Sequence, residues 1–534
     1  MTARRSSVPL PSTRVAVRAL LWALALVVSS TPLAAQESTL IRNGRLLDGS
    51  GNPWILADVL IVGDRIEAVG DLAGRDADRV IDATGLYVAP GFIDSHSHAG
   101  GGLASEGLSH AEPLLAMGLT TVFVNPDGGG PSDMAGQRTA LMEHGLGVNV
   151  AQLVPQGSVR RAVMGTADRA ATSSELDRMR RIVREGMEAG AWGLSSGTYY
   201  VPGSYTPPSE IEELAKVVAE FGGGYTSHIR DESTYSVGLI AAVDEVIDVG
   251  RAAQIPVVLT HVKALGPFVW GYGDAIVKRV ERAREAGIQV FADQYPYTAS
   301  ATGLDAALLP RWSQAGGRDS LLSRMDDPAS MARIREGMVE GLARRGGADR
   351  IQFRRFRPDP SIEGRLLSEL AAERGENPID TAIHLIRSGG VSIVSYNMHD
   401  DDLERLLVQP WTMTSSDGDL VPMGVGVPHP RTYGAFARKI ALSARDLGVV
   451  SLEEAVRSMT SLPALVFGMA DRGVLRQGAV ADVVVFDLAA VREVAEYTDP
   501  HHYSEGMVHV FVNGVAAISD GVFTGERPGR VLTK

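Results

Sequence analysis

The chain contains no cysteine among its 534 residues. This absence excludes disulfide bonds and thiolate ligands, so a metal site must use nitrogen and oxygen donors from His, Asp and Glu. Basic residues are also fewer than acidic ones. The chain has 51 Lys and Arg and 64 Asp and Glu, which gives a formal net charge of -13. Proteins that bind nucleic acids or anionic membranes usually carry clustered positive charge. We therefore expect a small-molecule ligand and no nucleic-acid partner.

A long apolar run is missing as well. The longest one near the amino terminus, Ala19–Val28, is shorter than the roughly 20 residues that span a bilayer. Arg4, Arg5, Arg14 and Arg18 precede it, and the small residues Ala34 and Ala35 follow it. This order is typical of a cleaved signal peptide. We predict a signal peptide over residues 1–35, export to the periplasm or the medium, and no stable membrane insertion after cleavage. An uncleaved amino-terminal anchor is the alternative.

The two ends of the remaining chain share a β pattern. Apolar residues alternate in 58–62 and 65–69 around a Gly63-Asp64 turn, and again in 481–486 and 508–512 before an Asn513-Gly514 turn. Asn-Gly is a favoured hairpin dipeptide. We predict one small β-sandwich built from residues 36–88 and 469–534.

Strand-like and helix-like segments alternate between these ends, over residues 89–468. His228, His261 and Asp293 recur at intervals of 33 and 32 residues, the length of one strand-plus-helix unit. Eight such strands close a parallel (β/α)8 barrel of the TIM type, an α/β fold. The candidate strands are Gly91–Asp94, Thr120–Val124, Val148–Val154, Ala191–Ser195, Tyr225–His228, Pro256–Thr260, Ile288–Ala292 and Thr412–Ser416.

One long interruption complicates this pattern. An insertion of about residues 299–390 precedes a ninth candidate strand, Ser392–Tyr396, so either this segment or 288–293 is the seventh barrel strand. An insertion of this length after a barrel strand is most often a lid or a packed subdomain near the active face.

Histidines follow several of these strands. His96 and His98 stand at i and i+2 after the first strand, so both imidazoles project to one side. His228, His261 and Asp417 each lie within about one residue of the carboxyl end of a different predicted strand, where barrel enzymes gather their reactive groups. A lone His-x-His pair is more often structural, but five ligands on one rim indicate a metal site. This donor set favours zinc, as one or two ions, with another divalent first-row metal possible. Asp417 is then the expected acid/base, which moves a proton from water to the leaving group.

Several phrases resemble a known family. The segment Ala89–His98 resembles the opening motif of the amidohydrolase superfamily. The phrases that resemble its N-acyl-D-amino acid deacylase (D-aminoacylase) branch are Tyr225–Glu232, Thr260–Lys263, Asp293–Thr298, Ser415–Gly418 and His429–Gly434. The matches run from about Leu40 to Gly521. The resemblance implies a barrel with a small β-sandwich. It also implies metal-dependent hydrolysis of the amide bond of an N-acyl amino acid to a carboxylate and a free amino acid, which in this branch is a D-amino acid.

The resemblance also implies roles for single residues. His96 and His98 match ligands of one metal position, and His228 and His261 match ligands of the other. Asp417 matches the acid/base. The positions that hold the substrate carboxylate are matched by Lys263, Tyr295 and Arg431, with Tyr200 as a weaker pocket candidate. An Arg offers a planar, two-pronged donor that suits a carboxylate.

The chain departs from the family pattern at Asp127. Where the branch usually has Gly-Asn-Cys-Gly, with a Cys that touches the metals, this sequence reads Asn125-Pro-Asp-Gly128. Asp127 could bridge two metals through its two oxygens, or the segment could be no more than a tight turn, which Pro, Asp and Gly favour. Both alternatives stay open at this point, and with them the number of metals.

Two other functions fit the sequence. One is a cyclic-amide or dipeptide hydrolase of the same superfamily, because one barrel supports many substrates through its loops. The other is a non-catalytic exported protein that binds a metal or a ligand, although such a protein would not need Asp417 as a proton carrier. No motif encodes the acyl length, the amino acid side chain, its stereochemistry or the oligomeric state.

Overall fold

The computed structural model describes residues 1–3, 5–7 and 37–534. The apolar run on which the predicted signal peptide depends lies outside these residues, so export stays a prediction. None of the helices in the described residues combines the length and the apolar character needed to cross a bilayer.

The described residues form strands β1 to β22, in chain order. They are β1 (Ser38–Leu46), β2 (Ile55–Val62), β3 (Arg65–Gly70), β4 (Arg79–Asp82), β5 (Tyr87–Pro90), β6 (Phe92–Asp94), β7 (Leu119–Val124), β8 (Asn149–Gln152), β9 (Val154–Pro155), β10 (Gly193–Gly197), β11 (Gly224–His228), β12 (Val257–Leu259), β13 (Val290–Gln294), β14 (Ser300–Gly303), β15 (Ile351–Arg355), β16 (Ser392–Ser395), β17 (Thr412–Thr414), β18 (Val483–Phe486), β19 (Met507–Val512), β20 (Val515–Ser519), β21 (Val522–Phe523) and β22 (Val531–Leu532).

Helices connect most of the strands from β6 to β18. The α-helices are Gly100–Leu103, Glu112–Ala116, Met134–Met142, Gln156–Met164, Ser173–Glu188, Pro208–Ala219, Leu239–Ala253, Gly273–Glu285, Leu304–Leu308, Arg318–Asp326, Pro328–Arg344, Leu367–Arg374, Pro378–Ser388, Asp400–Leu407, Arg431–Arg438, Leu452–Met459 and Ser461–Phe467. Short 3-10 helices cover Gly203–Tyr205, Arg311–Gln314, Ala348–Arg350 and Pro360–Ile362, and a π-helix covers Lys439–Asp446.

Both ends of the described chain contribute to one β domain. Nine strands hydrogen-bond in the order β21-β20-β19-β18-β5-β1-β2-β3, with β4 beside β1. The edge strand β3 also meets residues just before β18, since Ile66 N donates to Ala479 O at 2.9 Å. The sheet therefore curls over its own apolar cluster, which includes Val59, Val485 and Phe511.

The barrel consists of eight consecutive parallel strand positions, with β8 and β9 forming the third. Its strands pair in the orders β6-β7-β8 and β9-β10-β11-β12-β13-β17, and the carboxyl-terminal strand β22 adds to the first sheet beside β8. The first and last strands meet through the segments that follow them, because Asp417 N donates to His96 O and His98 N donates to Gly418 O, both at 2.9 Å. Strand β13 pairs with both β12 and β17 and is therefore the seventh barrel strand. The run at 392–395 is β16, which pairs antiparallel with β14 and β15 outside the barrel.

The insertion after β13 has its own core. Strands β14, β15 and β16 form a three-stranded sheet, and the helices between them bury a separate apolar cluster that includes Ile334, Phe353 and Ile383. The larger cluster lies between the barrel strands and the helices outside them, as expected for parallel strands covered on both faces. The insertion is thus a packed subdomain that sits beside the carboxyl ends of the barrel strands.

Candidate active site

The predicted metal ligands all stand at the carboxyl ends of barrel strands. His96 and His98 follow β6, and Asp127 follows β7. His228 is the last residue of β11, His261 follows β12, and Asp417 follows β17. Parallel strands bring their carboxyl ends to one rim of the barrel. Ligands that are hundreds of residues apart in sequence therefore meet there.

These side chains form two groups that share Asp127. In the first group, Asp417 Oδ1 lies 3.1 Å from His98 Nε2 and 3.5 Å from His96 Nε2. Both of these imidazoles also face Asp127 at 3.5 Å.

In the second group, Asp127 Oδ1 lies 3.5 Å from His261 Nε2, and Asp127 Oδ2 lies 3.7 Å from His228 Nδ1. Within each group one ligand atom per residue lies within 4.8 Å of the others. Asp127 stands in a turn, but its carboxylate is the part shared by both groups. The geometry favours a bridging ligand over a turn with no other role.

The donor atoms fit a divalent cation. Both ring nitrogens of His96 and of His228, and Oδ1 of Asp127, are buried without a hydrogen-bond partner among the described residues. Buried polar atoms are normally satisfied by protein, water or an ion. An all-N/O donor set of imidazoles and carboxylates suits zinc and other first-row divalent ions.

The electrostatics of the cluster favour positive charge. Burial would raise the pKa of Asp127, but the nearby His96 and His261 hold it well below its usual value. Burial opposes protonation of His98, yet Asp127 and Asp417 raise its pKa to about 9. Two carboxylates in a water-poor site thus create a negative potential that attracts a cation.

Backbone conformation and two further carboxylates hold the ligands in place. Asp127, His261 and Asp417 have φ values of 54°, 37° and 47°, in the left-handed region that non-Gly residues rarely adopt. Asp94 Oδ1 accepts from His96 N at 3.1 Å and Ser416 N at 3.0 Å. In the same way, Asp293 Oδ1 accepts from His261 N at 2.8 Å. These bonds tie the strand ends together, so the ligand arrangement is built into the fold.

Glu232 is a site residue that the sequence analysis did not single out. Its Oε1 lies 3.2 Å from His261 Nδ1, and its Oε2 lies 3.6 Å from His228 Nε2. A carboxylate behind a metal-binding imidazole fixes the orientation and the tautomer of the ring. The signal in the sequence was its place four residues after His228, inside a phrase that matched the family.

Lys263 is paired within the site. Its Nζ donates to Glu232 Oε1 at 2.5 Å and lies 2.8 Å from His261 Nδ1. Lys263 borders the cavity that opens over the ligand cluster, but its charge already faces Glu232. A substrate carboxylate would therefore meet a Lys–Glu pair, and the role expected from the resemblance stays a prediction.

Two of the other predicted substrate contacts, Arg431 and Tyr295, lie next to Lys263, whose Nζ is 5.9 Å from the ring centre of Tyr295. Arg431 Nη1 lies 2.7 Å from Asp417 Oδ2, and its guanidinium is 4.6 Å from the ring centre of Tyr295. Tyr295 is fully buried, and its hydroxyl contacts Met398 Sδ at 3.8 Å. Tyr200 packs edge-on against His228, with its hydroxyl 3.3 Å from Thr302 Oγ1. All three border the cavity.

A cavity of about 460 Å³ opens over the ligand cluster. The barrel supplies the ligands, and the inserted subdomain supplies part of the wall, including Arg345, Arg354 and Ser392. Arg354 forms an ion pair with Asp419, two residues after the acid/base candidate. The subdomain therefore helps to shape the place where a substrate would bind.

Residues 79–518 match the model of the Amidohydrolase family. The chain belongs to this family. It is 35% identical to D-aminoacylase from Alcaligenes xylosoxydans xylosoxydans, over 93% of this chain and 97% of that protein. It is also 35% identical to the N-acyl-D-glutamate deacylase of the same organism, over 92% of this chain and 96% of that protein, and 34% identical to its N-acyl-D-aspartate deacylase, over 93% and 95%.

Solved structures of amidohydrolases agree with the fold. A D-aminoacylase structure superposes with a TM-score of 0.80 at 33% identity, and covers 93% of this chain and 99% of that one. The N-acyl-D-glutamate deacylase of Bordetella bronchiseptica, in complex with zinc and a phosphonate mimic of the tetrahedral intermediate, superposes with a TM-score of 0.79 at 33% identity, over 94% and 100%. The expected amidohydrolase barrel and its metal-binding His/Asp cluster are confirmed.

Proposed function

We propose that this amidohydrolase is a zinc-dependent deacylase that hydrolyses N-acyl-D-amino acids to a carboxylate and a free D-amino acid. The observation that carries the proposal is the pair of His groups joined by Asp127, with Asp417 facing the first group and the cavity. The relatives named above carry the same activity in their names and are aligned over nearly their whole length.

The metal ligands and Asp417 have different roles in the reaction. Divalent ions held by the two groups of ligands that share Asp127 would polarise the acyl carbonyl and make a water molecule more acidic. Burial would raise the pKa of Asp417, but Arg431 and the imidazoles hold it well below its usual value. Asp417 therefore begins the reaction as a base. It takes a proton from the attacking water and then delivers this proton to the amide nitrogen as the C–N bond breaks.

The test is hydrolysis of an N-acetyl-D-amino acid by the purified, zinc-loaded protein, compared with its L enantiomer and with the Asp417→Asn variant. Proton transfer by a positioned side chain contributes about 10²- to 10⁴-fold, so kcat should fall by about a thousandfold in the variant. Asp446→Asn, on an exposed carboxylate that pairs with Arg445 and does not line the cavity, is the matched control and should keep full activity. Unchanged kcat in Asp417→Asn would exclude this mechanism.

We also propose that the protein is exported through its amino-terminal segment. The support is the order of Arg residues, apolar run and small residues in 1–35. Fractionation of cells that express the full chain, with amino-terminal sequencing of the product, should locate the protein outside the cytoplasm and place its first residue close to position 36. Recovery of the intact chain in the cytoplasm would contradict this proposal.

A further inference from the structure

Arg345 is a buried cation with no acidic partner. It lies directly after the helix Pro328–Arg344 of the inserted subdomain and is 1% exposed, yet it borders the cavity over the ligand cluster. Among the residues described by the structure, no carboxylate lies within ion-pair distance of its guanidinium, and its Nε has no hydrogen-bond partner. A buried charge is costly unless it is paired. An unpaired, buried arginine does not stabilise the fold, so its place at the cavity wall indicates a role in binding.

The other cations of the cavity differ from Arg345 in this respect. Lys263 pairs with Glu232, Arg431 pairs with Asp417, and Arg354 pairs with Asp419. Arg161, at the rim, is exposed to solvent. Arg345 therefore differs from the other buried cations of this cavity. Within the described part of the chain, it has no acidic side chain as an ion-pair partner.

Neutral hydrogen-bonding groups surround this guanidinium. Arg345 Nη2 lies 3.4 Å from the hydroxyl of Tyr199. With its amide turned so that Oδ1 faces the arginine, Asn397 accepts from Arg345 Nη1 at 3.0 Å, and Ser300 Oγ lies 3.1 Å from the same amide. Hydroxyl and guanidinium groups are donors that suit a carboxylate.

Tyr199 lies between Arg345 and the metal-ligand cluster. Its ring stacks on His228, with 5.3 Å between centroids and 30° between planes, and its hydroxyl faces Arg345. The guanidinium of Arg311 lies 3.9 Å from the centre of the same ring. One aromatic ring therefore separates the metal-ligand cluster from a region of positive potential.

We propose that Arg345 binds a carboxylate in the side chain of the substrate, so that the preferred substrates are N-acyl derivatives of acidic amino acids. The inference rests on the proposed deacylase function and specifies its substrate class. The α-carboxylate lies at Arg431 and Lys263, beside the cluster. The side-chain carboxylate lies beyond Tyr199 at Arg345, with the hydroxyl of Ser300 beside it.

The experiment compares substrates that differ in charge but hardly in shape. N-acetyl-D-glutamate and N-acetyl-D-glutamine are supplied to the zinc-loaded protein and to the Arg345→Met variant. Loss of one partner of a buried ion pair typically weakens an interaction by about a hundredfold or more. We expect kcat/KM of the native enzyme to be about a hundredfold higher for the glutamate derivative. The variant should lose this advantage and keep its activity on the glutamine derivative within about threefold.

Arg344→Met is the matched control, because Arg344 is the neighbouring residue and pairs with Glu340 on the helix surface at 3.0 Å. It should retain the preference for the acidic substrate. Thermal melting supplies a readout that does not depend on turnover. N-acetyl-D-glutamate should raise the Tm of the native protein more than N-acetyl-D-glutamine does, and this difference should vanish in Arg345→Met.

Three outcomes would overturn the inference. The native enzyme could hydrolyse the neutral substrate equally well, or Arg345→Met could lower kcat/KM for both substrates alike, as expected if Arg345 held the α-carboxylate or only supported the fold. Equal Tm shifts by both ligands would count against it as well. Failure of the proposed function looks different, because no N-acetyl-D-amino acid would then be hydrolysed by the native protein while the melting comparison would still report on Arg345.

Discussion

Replacing Asp127 with Asn removes one negative charge and leaves a side chain of nearly the same shape. The carboxylate lies 3.5 to 3.7 Å from a nitrogen of each of the four imidazoles. Two unit charges about 4 Å apart interact by about 4 kcal/mol at an effective dielectric of about 20. At about 1.4 kcal/mol per factor of ten, the loss corresponds to about a thousandfold in affinity for a cation held by these groups.

Because both His groups share Asp127, the variant should lose affinity at both. We expect zinc content, measured by elemental analysis after equilibration in a zinc buffer, to fall from about two ions to one or fewer per chain. Chelator competition should show affinity at least a hundredfold lower for the ion that remains. Asp133→Asn is the control, because Asp133 lies in the same connection and caps the helix Met134–Met142 through Gly136 N at 2.9 Å. Full zinc content at native affinity in Asp127→Asn would show that the segment is only a turn.

Three further predictions concern residues outside the direct ligand set. Glu232→Gln should lower zinc affinity about 10- to 100-fold in chelator competition, since it frees the rings of His228 and His261; unchanged affinity would refute an orienting role. Burial lowers the pKa of Lys439 to about 7 from 10.5, so the native protein should lose stability as the pH falls from about 10 to about 7 and show no further loss from this group below that. Lys439→Met should abolish this slope in pH-dependent thermal melting and add at most about 5 kcal/mol at neutral pH, whereas an equal slope in both proteins would contradict the assignment. Thr172→Ala should cost about 1 kcal/mol, because Thr172 and Glu175 form a capping box at the helix Ser173–Glu188; Ser174→Ala is the control, and equal melting of the two variants would argue against the cap.

The barrel and most of its ligands could be predicted from the sequence because both follow local rules. Short apolar runs mark the strands, and the carboxyl ends of parallel strands share one rim, so His96, His228 and Asp417 could be assigned to one site from the sequence alone. The choice between β13 and β16 as the seventh strand could not be made in this way. Both are short apolar runs, and only their pairing partners distinguish them.

The remaining features depend on contacts between distant residues. Asn125-Pro-Asp-Gly128 has the composition of a turn and forms one, so its sequence could not show that the Asp127 carboxylate also faces four imidazoles. Glu232 acquires its orienting role partly from His261, which follows the next barrel strand along the chain. The lack of an acidic partner at Arg345 cannot be read from any motif, because it is a property of everything that packs around the side chain.

The left-handed backbone at Asp127, His261 and Asp417 limits which substitutions can be interpreted. Asn and Asp accept this conformation readily, whereas Ala and the β-branched residues do so at a cost. An alanine at position 127 or 417 would remove a charge and strain the chain at the same time, and the two effects would be inseparable in any assay. Asparagine is the replacement that removes the charge at these positions without straining the backbone.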